Sequence, residues 1–541
     1  MPQTILSTTL EVKPGSAEVL AGLIDALHAK ADGGNAGHRR FGWFMAAVPS
    51  VHFLSLSLFR AADYDPVFVI EANLDGAAGI FWGQLESAIG AELRAMLRCC
   101  KRPLDGDGPL YDAVTEEGSR RMVAAYLEVR AARPSVFHQG NRGLTRDRIL
   151  AERDLFLAIR AEFLTANEGR ESPYRGVTPA IVHATLRAAM RPAFPWLDTP
   201  APIRIGRIEH LADWAKFAGF LIAVVFVVSL PGLILAPVMP TGRLLILLAL
   251  AAIVIALPLR RIHPPLPGTG VSRPWALVKA AARALPLLLA GIAIYALVAV
   301  PLATIGHAAL TGRPVGTLWA TGARMVALGL ASALAVTLPG LLLWLRVLER
   351  RDSAQDAPPV DEAEMRQMVQ REDWIPQNHM GSIVLLKPGL LRTIIVHAGH
   401  LGLHLLLRAK ATDGYLGSMR TVHFAHWAFV NNGGRLMFFS NFDQSWESYL
   451  DDFIEKAHVG LTLAWGCGTG FPATRFLILD GASHGSRFKA WARHSMAVSR
   501  FWYSAYPDLT VDQIERNNRI ADGLRKPALT AKEAAEWIDL L

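Results

Sequence analysis

Four apolar stretches, 217–237, 244–259, 285–304 and 325–345, contain no Asp, Glu, Lys or Arg. Hydrocarbon offers no water to satisfy a backbone, so a segment crossing it must pair its N–H and C=O groups internally. Unbroken apolar runs near ~20 residues do so as helices. The sequence therefore predicts a four-helix membrane insert. The second stretch is the shortest and carries Pro258, which predicts a kinked or tilted helix; Pro231, Pro286, Pro301 and Pro339 interrupt the others. The spans carry no ionisable group for an ion or proton path, so the bundle reads as an anchor.

Eleven Lys and Arg flank one side of these spans: Arg204, Arg207, Lys216, Arg260, Arg261, Arg273, Lys279, Arg283, Arg346, Arg350 and Arg351. The other side has three, Arg243, Arg313 and Arg324. The excess of basic residues predicts that both termini face the cytoplasm. The net charge of +8 gathers beside the spans, where anionic headgroups meet it, so the expected partner is membrane lipid and not nucleic acid. The N-terminus lacks a basic region followed by an apolar one, and no cleaved signal peptide is expected. Only Cys99, Cys100 and Cys467 occur, at no metal-type spacing.

The flanking sequence repeats itself. TLEVKPG (9–15) answers IVLLKPG (383–389), and PSVHFLSLSLF (49–59) answers RTVHFAHWAFV (420–430). The stretch 68–89, with Asn73-Leu74-Asp75, answers 437–458, with Asn441-Phe442-Asp443; LTRDRILAERDLFLAIR (144–160) answers LTVDQIERNNRIADGLR (509–525). The offsets, taken for the third pair at Asn73 and Asn441, fall in order through 374, 371, 368 and 365, the drift that small loop deletions leave, whereas chance matches scatter. Each copy reads strand, helix, strand, strand, helix, strand: VHFLSLSLF alternates like a half-buried strand, and the segment after Asn-x-Asp is amphipathic. Domain limits follow: 1–165 and 376–541 for the two copies with helical extensions, 166–215 for a connector, 216–346 for the membrane insert and 347–375 for an acidic linker.

The order βαββαβ is that of the ferredoxin-like unit, whose sheet has helices on one face only. Two copies can cover their bare faces with each other. The predicted fold class is thus α+β plus transmembrane α, with two ferredoxin-like repeats forming an intramolecular α+β barrel. This resembles the dimeric α+β barrel superfamily, which includes dye-decolourising peroxidases, chlorite dismutases and small monooxygenases, over residues 5–105 and 380–480. The resemblance implies an oxidoreductase with haem. The peroxidase signature Gly-x-x-Asp-Gly is nearest to Asn73-Leu74-Asp75-Gly76, which lacks the leading glycine.

His52 and His423 are equivalent positions in mid-strand, while His426 and Trp427 replace Ser55 and Leu56 in the second copy only. This asymmetry points to a ligand site nearer the second copy, in a cavity between the sheets. Its expected cofactor-binding residues are His423, His426, Arg435 and His52, and its expected walls are Trp427, Phe438 and Tyr449. Asn73, Asp75, Asn441 and Asp443 are candidates for the same pocket, with helix capping as their structural role. His397, His400 and His404 share a face of helix 390–408, with no carboxylate near in sequence to complete a metal site. Gly481-Ala482-Ser483-His484-Gly485 matches a nucleophile-elbow pattern, yet no Asp-then-His order follows it. Two functions remain open: a membrane-bound, haem-dependent oxidoreductase acting on an apolar substrate, and a non-catalytic membrane-associated module binding a lipid, apolar ligand or protein partner.

Overall fold

The computed structural model describes residues 3–33, 41–61, 64–168, 172–262, 274–352, 360–373, 375–412, 415–416 and 419–541. Part of the turn expected after Ala61, Arg273, and positions 353–359 and 374 of the acidic linker lie outside these residues, as do the side chains of Arg260, Arg261, Lys279 and Arg283. The chain divides into two compact units. One holds Met1–Asp213, Ala354–Pro472 and Asp480–Leu541; the other holds Trp214–Ser353 and Ala473–Leu479.

The first unit contains β1 (Gln3–Glu11), α1 (Ala17–Asp32), β2 (Val51–Ala61), β3 (Tyr64–Asp75), α2 (Ala78–Arg98), β4 (Ala131–Ala132), β5 (Val136–Gln139) and α3 (Arg146–Glu168). Later in the chain it adds β6 (Gln377–Leu385), α4 (Leu390–Lys410), β7 (Val422–Val430), β8 (Arg435–Asp443), α5 (Trp446–Trp465), β9 (Phe501–Ser504) and α6 (Val511–Arg525). Two antiparallel sheets result, ordered β9-β2-β3-β1-β4 and β5-β7-β8-β6. Successive side chains on a strand face opposite ways. Leu54, Leu56 and Ile70 therefore pack under Leu20, Ile24, Phe81 and Leu85 of α1 and α2. On the second sheet Trp427, Phe438 and Leu436 pack under Tyr449, Leu450 and Phe453 of α5. The other faces meet: Phe59, Val67 and Val69 join Ile383, Ala428, Met437 and Phe439 in one apolar cluster.

Corresponding positions share local geometry. Helix α2 breaks at Ile89 (φ −141°) and α5 at Ala457 (φ −142°). An isolated bridge joins Val12 to Cys100, and another joins Leu386 to Gly468. The last strand of each half does not stay on its own sheet, as a ferredoxin-like unit would have it. Phe137 of β5 lies opposite His426, and Trp502 of β9 lies opposite Ser55. Each exchange covers a sheet edge that would otherwise expose unpaired backbone groups. The connector is no loose tether: Val182, Leu186 and Met190 pack on Ile520, Leu524 and Trp537.

Five helices are long and apolar enough to cross a membrane, which is compatible with a multi-pass membrane protein. Four belong wholly or mostly to the second unit: Arg207–Leu235, Thr241–Leu259, Leu289–Thr311 and Trp319–Arg350, with mean hydropathies of 2.1 to 2.6. The second, although short in sequence, runs 19 residues, about 28 Å at ~1.5 Å per residue. A π-turn at Ala333–Thr337 precedes Pro339, absorbing the missing N–H without ending the fourth. The fifth is α4, with mean hydropathy 1.4; it lies in the first unit and packs against β5 and α5.

Small residues let the helices of the second unit approach closely. A Cβ at Gly232 would collide with Leu328 and Ser332, and one at Gly322 with Thr304. The Gly232 N–H donates to Ser332 Oγ at 2.9 Å, a buried bond between two helices. Arg324 donates to the Ala236 carbonyl at 2.8 Å, satisfying the end of the first helix. Glu349, buried near the end of the fourth helix, accepts from Thr474 Oγ1 (2.8 Å), Phe476 N (3.0 Å) and Leu477 N (2.9 Å).

Candidate functional site

Register determines which side chains can meet between the sheets. In the first sheet, Ser7, Glu71, Ser55 and Trp502 lie in one row across β1, β3, β2 and β9, with Ile5, Asn73, Phe53 and Ser504 in the next. In the second, His379, Asn441, Phe424 and Gln139 form one row, and Gly381, Phe439, His426 and Phe137 the next. Contacts between sheets confirm the facing: Ser7 Oγ lies 2.7 Å from His426 Nε2, and Trp502 Nε1 donates to Asn441 Oδ1 at 2.8 Å. Ser7, Ser55, Glu71, Asn73, His379, His426 and Asn441 are all buried.

This polar layer lies inside an otherwise apolar interior. Glu71 accepts from Asn73 Nδ2 and from Ser55 Oγ (3.2 Å), and no Lys or Arg among the described residues pairs with it. Burial pushes its carboxyl up to about 8, against the smaller pull of those two donors. Burial also drives His379 and His426 down to about 3, with His426 lowering its neighbour further, so both imidazoles are neutral at pH 7. Four atoms of the layer have no partner: Asn73 Oδ1, Asn441 Nδ2, His379 Nε2 and His426 Nδ1. Buried polar groups left unsatisfied are costly, so these four atoms make the layer a candidate place for a bound molecule or ordered water.

A cleft of about 350 Å³ reaches one edge of this layer. Phe41, Ile375, Met496, Ser499 and Ser504 line it, and His379 and Trp502 form its inner wall. His379 Nδ1 lies 2.7 Å from Ser499 Oγ, and its ring stacks 6.0 Å from that of Trp502.

The other predicted residues fall elsewhere. His423 Nε2 lies 2.8 Å from Asp443 Oδ1, while Asp443 Oδ2 accepts from the Val511 N–H at 2.8 Å. His52 Nε2 lies 3.1 Å from Asp75 Oδ1, and Asp75 Oδ2 accepts from the Arg146 N–H at 2.7 Å. Thus Asp75 and Asp443 do not cap the helices that follow them, α2 and α5; they hold the first N–H of α3 and α6. Carboxylates suit those N-termini because the first helical N–H groups lack partners and carry partial positive charge. Asp443 leaves its own following helix to Ser445, whose side chain accepts from Ser448 N.

Trp427, Phe438 and Tyr449 do not wall the inter-sheet space. One residue along a strand from His426 and Phe439, Trp427 and Phe438 face the helices; their ring centroids lie 5.3 and 4.7 Å from that of Trp465. Tyr449 stacks on Phe442 at 3.9 Å on that same side. Arg435 is four residues along β8 from Phe439, roughly 13 Å away, with its guanidinium 4.2 Å from the Tyr64 ring centroid. His400 has Ser135 Oγ at 2.9 Å and the Ala464 carbonyl at 3.1 Å, and His397 stacks on Phe429 at 4.0 Å. Sequence reading passed over Glu71, His379 and Trp502. Glu71 had a signal: in FVIEANLD it shares a strand face with Val69 and Asn73, an acid where burial is expected. Compared with protein-family models, curated proteins and solved structures, the chain matches none of them.

Proposed function

We propose that this chain is a membrane-tethered binding module whose ligand enters the cleft beside His379 and Trp502. In this reading two ferredoxin-like copies exchange their last strands, the four most apolar helices cross the bilayer, and both termini are cytoplasmic. The paired breaks in α2 and α5, the paired bridges and the paired His–Asp contacts support duplication. Helix α4 stays on its sheet, because His400 is tied through both ring nitrogens to Ser135 and Ala464.

The observation that carries the binding reading is the cleft itself. It is concave, largely apolar, and ends on a buried layer with unpartnered polar atoms, the usual composition of a small-molecule site. The haem-dependent oxidoreductase reading has less support. A haem needs an imidazole nitrogen aimed into open space, but His423, His426 and His52 are buried with Nε2 beside Asp443, Ser7 and Asp75. Arg435 is stacked away on Tyr64. These residues do not fit a haem.

The test is a ligand screen by thermal shift on the purified full chain and on Ile375→Trp, which fills the cleft from its half-buried rim. We expect ligands that raise the unfolding temperature of the parent to lose that effect in the variant. Equal shifts in both proteins, or none in the parent, would overturn the reading.

A further inference from the structure

We infer that the cleft admits a primary ammonium carried on an apolar body, and that Glu71 and Asn73 receive its charge once the Trp502 indole moves aside. This rests on the cleft being a binding site. Trp502 lies opposite Ser55, and Ser55 lies opposite Glu71, so only β2 separates the wall of the cleft from the carboxyl, roughly 10 Å at ~4.8 Å per strand. The Ser55 Oγ bond to Glu71 Oε2 draws the carboxyl toward that wall.

The layer's chemistry selects the ligand. Glu71 is its one acid, and the donors around it, Asn73 Nδ2 and Ser55 Oγ, are neutral. Asn73 Oδ1 offers lone pairs to no donor. An ammonium supplies three donors and the missing positive charge. Phe53, ring-stacked 6.5 Å from Trp502, and Phe439, 5.9 Å from His426, add aromatic faces that favour a cation. Within the layer an anion would find no positive side chain, while in the lining of the cleft Arg371 stands with the acids Asp32 and Glu372; no group of three His, Cys, Asp or Glu among the described residues could hold a metal ion. The hydrogen bond to Asn441 is the side-chain tether of Trp502, and Asn441 keeps an unpartnered Nδ2 beside it.

Protons follow from the same geometry. Glu71 is bonded to Asn73 on β3 and Ser55 on β2 and lies opposite Ser7 on β1; the rest of the layer is His426 on β7, His379 on β6, Asn441 on β8 and Trp502 on β9. The two imidazoles titrate near 3, so within the layer Glu71 is the group that changes charge between pH 6 and 8. Its neutral form persists to about 8, and an arriving ammonium must expel that proton to solvent. Affinity should therefore fall by about tenfold per pH unit as pH drops from 8 to 6.

Calorimetric titration of the detergent-purified chain with hexylammonium, hexanol and hexanoate tests this. We expect hexylammonium to bind best, to release a proton seen as a buffer-dependent enthalpy, and to lose at least tenfold in affinity and all pH dependence in Glu71→Gln. That substitution copies the neutral carboxyl, so the fold should persist. If all three bind alike and Glu71→Gln changes nothing, the ammonium inference is overturned while the cleft reading stands. If none binds, and no other ligand distinguishes the parent from Ile375→Trp, the cleft reading fails and this inference with it. Displacement of hexylammonium by a short-chain phosphatidylethanolamine would identify the source as a lipid headgroup; failure to displace it would identify a free amine, and either supports the site.

Discussion

Asp75 and Asp443 each join three segments far apart in the chain: their own strand, a strand histidine and the first turn of a later helix. Removing the Asp443 carboxylate leaves a buried imidazole and a helical N–H unsatisfied together, and removing that of Asp75 leaves the Arg146 N–H unsatisfied. Each such group costs roughly 1–3 kcal/mol. Asp75→Ala and Asp443→Ala should therefore lower unfolding free energy in denaturant titrations by amounts in or above that range, and Asp443→Asn, which keeps an acceptor, by less. A loss below ~0.5 kcal/mol in both alanine variants would show that the contacts bear no weight. The duplicated Asn-x-Asp and the duplicated strand histidine were each legible in the sequence, but not that they meet. Nor was the use of the aspartates: capping is normally local, and nothing in the sequence placed the start of α3 or α6, roughly 70 residues on, against these carboxylates.

At the scale of elements, alternation decides more than residue type. His426 and Trp427 look like one functional pair in sequence, yet a strand sends neighbours to opposite faces, so one enters the polar layer and the other the helix-side core. Applying that period to Val69, Glu71 and Asn73 would have identified the layer, whereas the choice of aromatic walls ignored it. The membrane helices were legible from apolar length, but their contacts were not, since glycine is silent about its neighbour. Gly322→Leu would drive a side chain into Thr304, and overpacking of this kind typically costs about 1–3 kcal/mol. Gly306 in the adjacent helix faces open space, so Gly306→Ala should be neutral or slightly stabilising. Thermal unfolding in detergent checks both; equal effects at the two positions would contradict the close approach at Gly322.

For the whole molecule, the basic flanks make a prediction about orientation. Eleven against three Lys and Arg should keep both ends of the chain on the cytoplasmic side. Reporter fusions at the two termini should both give a cytoplasmic signal, and an external signal from either would refute the topology. By itself the sequence determined the apolar helices and the α+β character of the rest, because hydrocarbon length and periodicity are properties of local text. Only the tertiary structure decided that β5 and β9 change sheets, that Asp75 and Asp443 hold distant helices, and that Glu71, His379 and Trp502 meet near one cleft. Those outcomes depend on which faces and edges pair across hundreds of residues, where burial and backbone pairing act between segments that no local pattern relates.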